Sequence, residues 1–160
     1  MPCYLFTYHG YGTWLPDHPR GYVRRKEGIL PTDKHMAECY RKNQREETAC
    51  FNRDVQRVMI GEAIEACTHQ DLRGHGIATD PSHLHVLVSW KSERTWQAVR
   101  RSLRSSLTRR LNQEVERRTW FSKQPSRKQV KERSHFEYLL KTYLPKHRGL
   151  KWCEDCGVFS

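Results

Sequence analysis

The sequence has no long apolar run. Nothing in its 160 residues approaches the roughly 20 consecutive apolar residues of a membrane-spanning helix. Residues 1–6 lack the charged leader and apolar core of a signal peptide, so a cytoplasmic protein is expected. Internal repeats, low-complexity segments and long heptad patterns are also missing, which sets aside solenoids and coiled coils. Hydrophobic residues are scarce at 36%. One domain of this length can still bury roughly 70% of its unfolded surface. A second Cys-x-x-Cys is lacking: only Cys153-Glu154-Asp155-Cys156 occurs, and a structural zinc site usually takes two such pairs. Without a secretion signal the six cysteines are expected as reduced thiols, with Cys153 and Cys156 on a short tail, a zinc knuckle completed by a distant His or Cys being the alternative for that pair, and Cys67 in the core.

Negative charge is what the second half lacks. Residues 1–90 hold 11 Lys/Arg against 11 Asp/Glu, whereas residues 91–152 hold 18 against 5. One contiguous stretch thus carries the whole excess of a chain with formal charge +11. Clustered Lys/Arg neutralise phosphates and release counterions, so nucleic acid is the expected partner and a membrane is not.

The apolar pattern sets the elements. Residues 4–8 read as an aromatic-rich strand. Residues 10–32, rich in glycine and proline, read as a loop inside an irregular insertion of about 10–50. Thr32 or Asp33 caps a polar helix through about Glu47. A second helix from about Asn52 to His69 buries Val55, Val58, Met59, Ala63, Ala66 and Cys67. Strands at 72–79 and 84–90 flank an Asp-Pro-Ser turn. A long helix over about 92–118 carries a stripe of Trp96, Val99, Leu103, Leu107, Leu111 and Val115, with Arg100, Arg101, Arg104, Arg109 and Arg110 off it. Trp120-Phe121 reads as a fourth strand, residues 125–133 as a polar connector, and 134–144 as a last helix ended near Pro145. This order predicts an α+β, ferredoxin-like antiparallel sheet with helices on one face and an added C-terminal helix. Residues 1–152 would form the domain and 153–160 a tail.

The sharpest local signal is Ser82-His83-Leu84-His85-Val86-Leu87-Val88. Residues two apart on a strand share a face, so His83 and His85 present paired imidazoles while Leu84 turns to the core. That spacing suits two ligands of one divalent cation, although paired histidines also occur on plain solvated strands. The last helix offers Tyr138 and Tyr143 as nucleophiles toward a phosphate. Tyr143 falls on the stripe Phe136, Leu139, Leu140, Tyr143 and equally suits a core aromatic; Tyr138 lies off it and equally suits a surface residue. Tyr11, Trp14, Arg20 and Tyr22 either stack on bases or pack as a small core of the insertion.

A His-hydrophobic-His strand, this element order and a tyrosine on a late helix resemble the HUH single-tyrosine transposases, and most closely the REP-associated branch. Asp80-Pro81-Ser82-His83-Leu84-His85-Val86-Leu87-Val88 resembles the metal motif, and Tyr143-Leu144-Pro145-Lys146-His147 the tyrosine segment. The resemblance spans residues 3–9 and 52–152. It implies His83, His85 and His147 as ligands of Mg²⁺ or Mn²⁺, and Tyr143 as nucleophile ahead of Tyr138. It also implies single-stranded DNA, in hairpin form, gripped by Arg100, Arg101, Arg104, Arg109 and Arg110. The implied reaction is nicking and rejoining through a 5′-phosphotyrosine, in a nucleoid-associated protein that is a monomer or a homodimer. A non-catalytic DNA- or RNA-binding protein on the same fold, and a metal nuclease using water, are the alternatives.

Overall fold

The computed structural model describes residues 1–13, 15, 19–24, 26–123 and 125–160. Trp14 and the side chain of Tyr22 lie outside the described part.

A six-stranded antiparallel sheet organises the molecule. Its strands are β1 (Cys3–His9), β4 (Leu72–Asp80), β5 (His83–Trp90), β6 (Ser126–Gln129), β7 (Lys151–Cys153) and β8 (Gly157–Phe159). The spatial order is β6-β1-β5-β4-β7-β8. Its first four strands, with helices between β1 and β4 and between β5 and β6, form the split β-α-β arrangement of a ferredoxin-like fold. A separate hairpin joins β2 (Tyr22–Arg24) to β3 (Gly28–Leu30) within the insertion.

Capping fixes the helices. Asp33 accepts from the Met36 N–H at the start of α1 (Lys34–Lys42), Asn52 from Val55 at α2 (Arg53–His69), and Thr95 from Ala98 at α3 (Trp96–Glu114). All three are shorter than or equal to the expected spans. Val115 caps the end of α3 and is exposed, so the core stripe stops at Leu111.

Strand alternation divides the core in two. Tyr4, Phe6 and Tyr8 of β1 and Leu84, Val86, Val88 and Trp90 of β5 face α2 and α3, where Met59, Ala63, Leu103 and Leu107 complete the larger cluster. Cys67 belongs to it as expected. Leu5, Ala78 and Leu87 point the other way, against Val130, Leu139 and Leu144 of the C-terminal segment. The helices expected on one face and the added C-terminal helix are thus both present, the latter on the opposite face.

Three expectations are corrected. Trp120 and Phe121 make no strand: Phe121 forms an isolated bridge to Gly10, and both rings are buried under α3. The fourth core strand is instead β6, inside the stretch read as a connector. All four of its residues are exposed, so an edge strand covered on neither face carries no apolar alternation. The last eight residues hold the end of β7 and all of β8, and Cys153 and Cys156 are joined as a disulfide rather than standing as free thiols.

The C-terminal segment also differs from a helix ended by proline. After α4 (Arg133–Tyr138) the chain widens into a π turn over Leu139–Tyr143, with the Leu144 N–H reaching Leu139. It then tightens into a 3₁₀ turn over Leu144–Lys146. Pro145 has no N–H to donate and its ring would strike the carbonyl four residues back in a regular helix. Widening the preceding turn removes that clash and carries the winding past the proline.

Candidate metal and nucleophile site

The β4–β5 hairpin sets Asp80 opposite His83 and Ala78 opposite His85, all on the C-terminal face of the sheet. On the other side of β5, Thr7 pairs with His85 and His9 with His83. Leu84 is fully buried in the opposite core, which locks the two imidazoles outward on this face. The 3₁₀ turn ends at His147 and brings it over them. Ring centroids of His147 lie 4.5 Å from His85 and 5.5 Å from His83. One ligand nitrogen from each of His83, His85 and His147 falls within 4.8 Å of the others.

Every one of these imidazoles has its Nδ1 engaged. His83 Nδ1 is 2.9 Å from Ser82 Oγ, and His85 Nδ1 is 2.7 Å from Thr7 Oγ1. His147 Nδ1 lies 3.0 Å from the Leu144 carbonyl. A carbonyl only accepts, so this contact puts the His147 proton on Nδ1 and leaves the Nε2 lone pair open. The hydroxyls can accept from Nδ1–H in the same way at the other two rings. Outer hydrogen bonds that orient rings and expose Nε2 are the usual support of a metal-binding histidine.

Electrostatics keep His83 and His85 neutral. Burial, set partly against the nearby Asp80, lowers His83 to about 4, and the neighbouring His147 and His9 add to the depression. Burial, with His83, His147 and His9 beside it, lowers His85 to about 2. Neutral imidazole is the form that ligates a cation. The donor set therefore fits a divalent ion held by His83, His85 and His147.

Tyr143 stands at the edge of the cluster. Its hydroxyl is 3.4 Å from His85 Nε2 and its ring centroid 5.1 Å from His147. Burial raises its pKa above the usual phenol value, while the Arg20 charge pulls the pKa down. Tyr138 is half exposed, with its ring 6.5 Å from that of Tyr143. Both tyrosines line a groove of about 380 Å³ beside β6, together with Thr7, Ser126, Arg127 and Lys128. Tyr11, by contrast, packs against the main core and accepts a hydrogen bond from the Arg45 N–H.

The five arginines of α3 are not gathered at this site. Their helix packs on the opposite face of the sheet from His83 and His85. Arg100 donates to the Pro125 carbonyl and lies over Trp96, and Arg104 donates to the Phe121 carbonyl. Arg110 is engaged by Glu62, Glu65 and Glu114. Arg101 and Arg109 are exposed. Charge count alone could not reveal that Glu62 and Glu65, on α2, neutralise Arg110. Three neighbours of the site were missed in the sequence: His9, Asp80 and Lys128. The signals for the first two were present, His9 as a third imidazole at strand spacing and Asp80 inside the turn before the His pair.

No protein-family model matches the chain, and no curated protein does. A solved structure, a REP-associated tyrosine transposase bound to a REP hairpin, matches at 7% sequence identity and a TM-score of 0.48. The match covers 87% of this chain and 62% of that one, so the chain spans less than two thirds of that structure's length. No helix among the described residues is long and apolar enough to cross a membrane.

Proposed function

We propose that the chain nicks and rejoins single-stranded DNA through a covalent 5′-phosphotyrosine on Tyr143, in the manner of the transposases its motifs resemble. The observation that carries this reading is the position of the Tyr143 hydroxyl, 3.4 Å from His85 Nε2 at the rim of a three-imidazole cluster. A divalent ion at those nitrogens would supply a Lewis acid for the scissile phosphate.

The chain's own residues account for the rest. The Tyr143 oxygen attacks phosphorus, the bond from phosphorus to the 3′ oxygen breaks, and that oxygen leaves as a 3′-hydroxyl after taking a proton. The phenol proton passes to solvent water as attack proceeds and water returns one to the 3′ oxygen; burial of Tyr143 opposes the phenolate and the Arg20 charge favours it. The phosphodiester energy stays in the new ester, so a 3′-hydroxyl from the same or another strand reverses the step. Lys128 lines the groove beside Tyr143 and would hold the strand's phosphates there, whereas the Arg127 guanidinium lies over Trp96 on the other face of the sheet. Arg101 and Arg109, on the far face, would meet a hairpin arm wrapping the molecule. Tyr138 borders the same groove as a substrate contact. A nucleoid-associated protein would follow from such DNA binding, and a homodimer would offer two nucleophiles to two ends.

The test is an SDS-resistant protein–DNA adduct with single-stranded hairpin oligonucleotides and Mn²⁺. Wild type and Tyr138→Phe are expected to form it and Tyr143→Phe to form none. Cleavage that persists in Tyr143→Phe without an adduct would replace this reading with the water nuclease. Binding with no cleavage in any metal would replace it with a binding module.

A further inference from the structure

We propose that Asp80 is a fourth ligand of the site, and that the completed set of three imidazoles and one carboxylate takes a first-row divalent transition ion in preference to Mg²⁺. The proposal rests on the reading that His83, His85 and His147 bind a metal.

Asp80 Oδ2 lies 3.5 Å from His83 Nε2 and 3.9 Å from His147 Nε2. Two donors each about 2.1 Å from a tetrahedral ion stand about 3.4 Å apart. Both separations are within about 0.5 Å of that span, and because the group whose ligand atoms already lie within 4.8 Å of one another is the three histidines alone, the Asp80 carboxylate joins it by swinging toward His85. The carboxylate is aimed by its other oxygen: Oδ1 accepts the Arg148 N–H at 2.9 Å. That bond ties the end of β4 to the residue after His147, so the two ligands are positioned by one contact. Asp80 also pairs with His83 across a two-residue turn, which leaves its direction little freedom. The side chain is 19% exposed, shielded enough that the carboxylate faces the imidazoles rather than open water.

Donor chemistry then selects the ion. Mg²⁺ is hard, prefers six oxygens and keeps its waters. Imidazole suits Zn²⁺, Co²⁺, Ni²⁺, Fe²⁺ and, with a carboxylate, Mn²⁺. A set of three nitrogens and one oxygen therefore narrows the ions implied by the motif to the transition-metal side.

The experiment titrates Co²⁺ and Zn²⁺ into the full chain against a chromophoric chelator, with Mg²⁺ as competitor, for wild type, Asp80→Asn, Asp80→Cys and His85→Ala. Circular dichroism checks each fold, and Asp80→Asn keeps an oxygen for the Arg148 N–H. Wild type is expected to bind one ion that millimolar Mg²⁺ does not displace. Asp80→Asn should bind at least 10-fold more weakly. Asp80→Cys loaded with Co²⁺ should show a thiolate-to-metal charge-transfer band, which a residue that merely steadies the histidines would not give. Wild-type affinity in Asp80→Asn together with no band in Asp80→Cys overturns the fourth ligand while leaving the imidazole site standing. Tight binding in Asp80→Asn that is lost in His85→Ala says the same. A wild-type chain that binds no ion overturns the metal reading and this proposal together, and displacement by Mg²⁺ overturns the selectivity.

Discussion

Replacing Gly149 by alanine should destabilise the protein by about 3–5 kcal/mol. A Cβ there would stand 2.3 Å from the Thr79 carbonyl oxygen, 2.5 Å from Thr79 Oγ1 and 2.7 Å from Gln56 Oε1. None of these atoms is the loose end of a long side chain. Thr79 is wholly buried in β4, and Gln56 is pinned by donating 2.7 Å to the Phe51 carbonyl. The chain must therefore back away, and two bonds go with it: Gly149 N–H to Thr79, 2.9 Å, and Leu150 N–H to Gln56, 3.0 Å. Each made bond contributes about 1 kcal/mol, and a buried amide oxygen left unpaired costs about 1–3 more. With a urea slope of about 2 kcal/mol per molar, the unfolding midpoint should fall by about 2 M. Because His147 is two residues upstream, metal affinity should fall with it. Gly61→Ala is the control: nothing lies within 4 Å of its Cβ in the middle of α2, and it should stabilise by about 0.5–1 kcal/mol. A Gly149→Ala midpoint within about 0.3 M of wild type would refute the reasoning.

What the sequence made legible followed from periodicity and its physical limits. His83 and His85 were readable because Leu84 between them is apolar, and alternation then fixes which side faces water. The α2 and α3 cores were readable because each helix has one packed side. The edge strand β6 was not: both its faces are exposed, so its residues are polar and carry no period. Trp120 and Phe121 misled for the opposite reason, since aromatic residues that plug a core look like strand residues whether or not they pair. The site itself was half legible. Pro145 counts against a helix continuing to His147, and only the π turn shows how the chain passes it with Tyr143 and His147 still adjacent. The placement of the arginines was illegible because charge counting along one helix cannot see Glu62 and Glu65 on another, nor which face of the sheet that helix covers.

The groove and the histidines give two further expectations. Lys128→Ala should weaken binding of single-stranded oligonucleotides and lower the slope of log affinity against log salt by about 0.7–1, one phosphate contact. Arg110→Ala, whose charge Glu62, Glu65 and Glu114 already engage, should leave that slope unchanged in a fluorescence-anisotropy salt titration; equal slopes for wild type and Lys128→Ala would remove the groove as the strand path. The second concerns pH in metal-free protein. Folding depresses His83 to about 4 and His85 to about 2, mainly by burial, from about 6.5 in the unfolded chain. Between pH 7 and 5 the unfolded state therefore takes up about 1.5 protons on this pair that the folded state does not. Linkage then requires stability to fall as pH falls through this window, by about 2 kcal/mol per histidine and about 4 kcal/mol for the pair, with His75, also lowered by burial, adding in the same direction. Below about pH 4, His83 starts to bind its proton in the folded state as well, and the loss per pH unit should halve. Urea melts at pH 7, 6 and 5 read this directly, and His85→Gln should roughly halve the dependence. A flat profile in that window would mean that the imidazoles are hydrated in the folded chain, contrary to the burial that makes them neutral ligands.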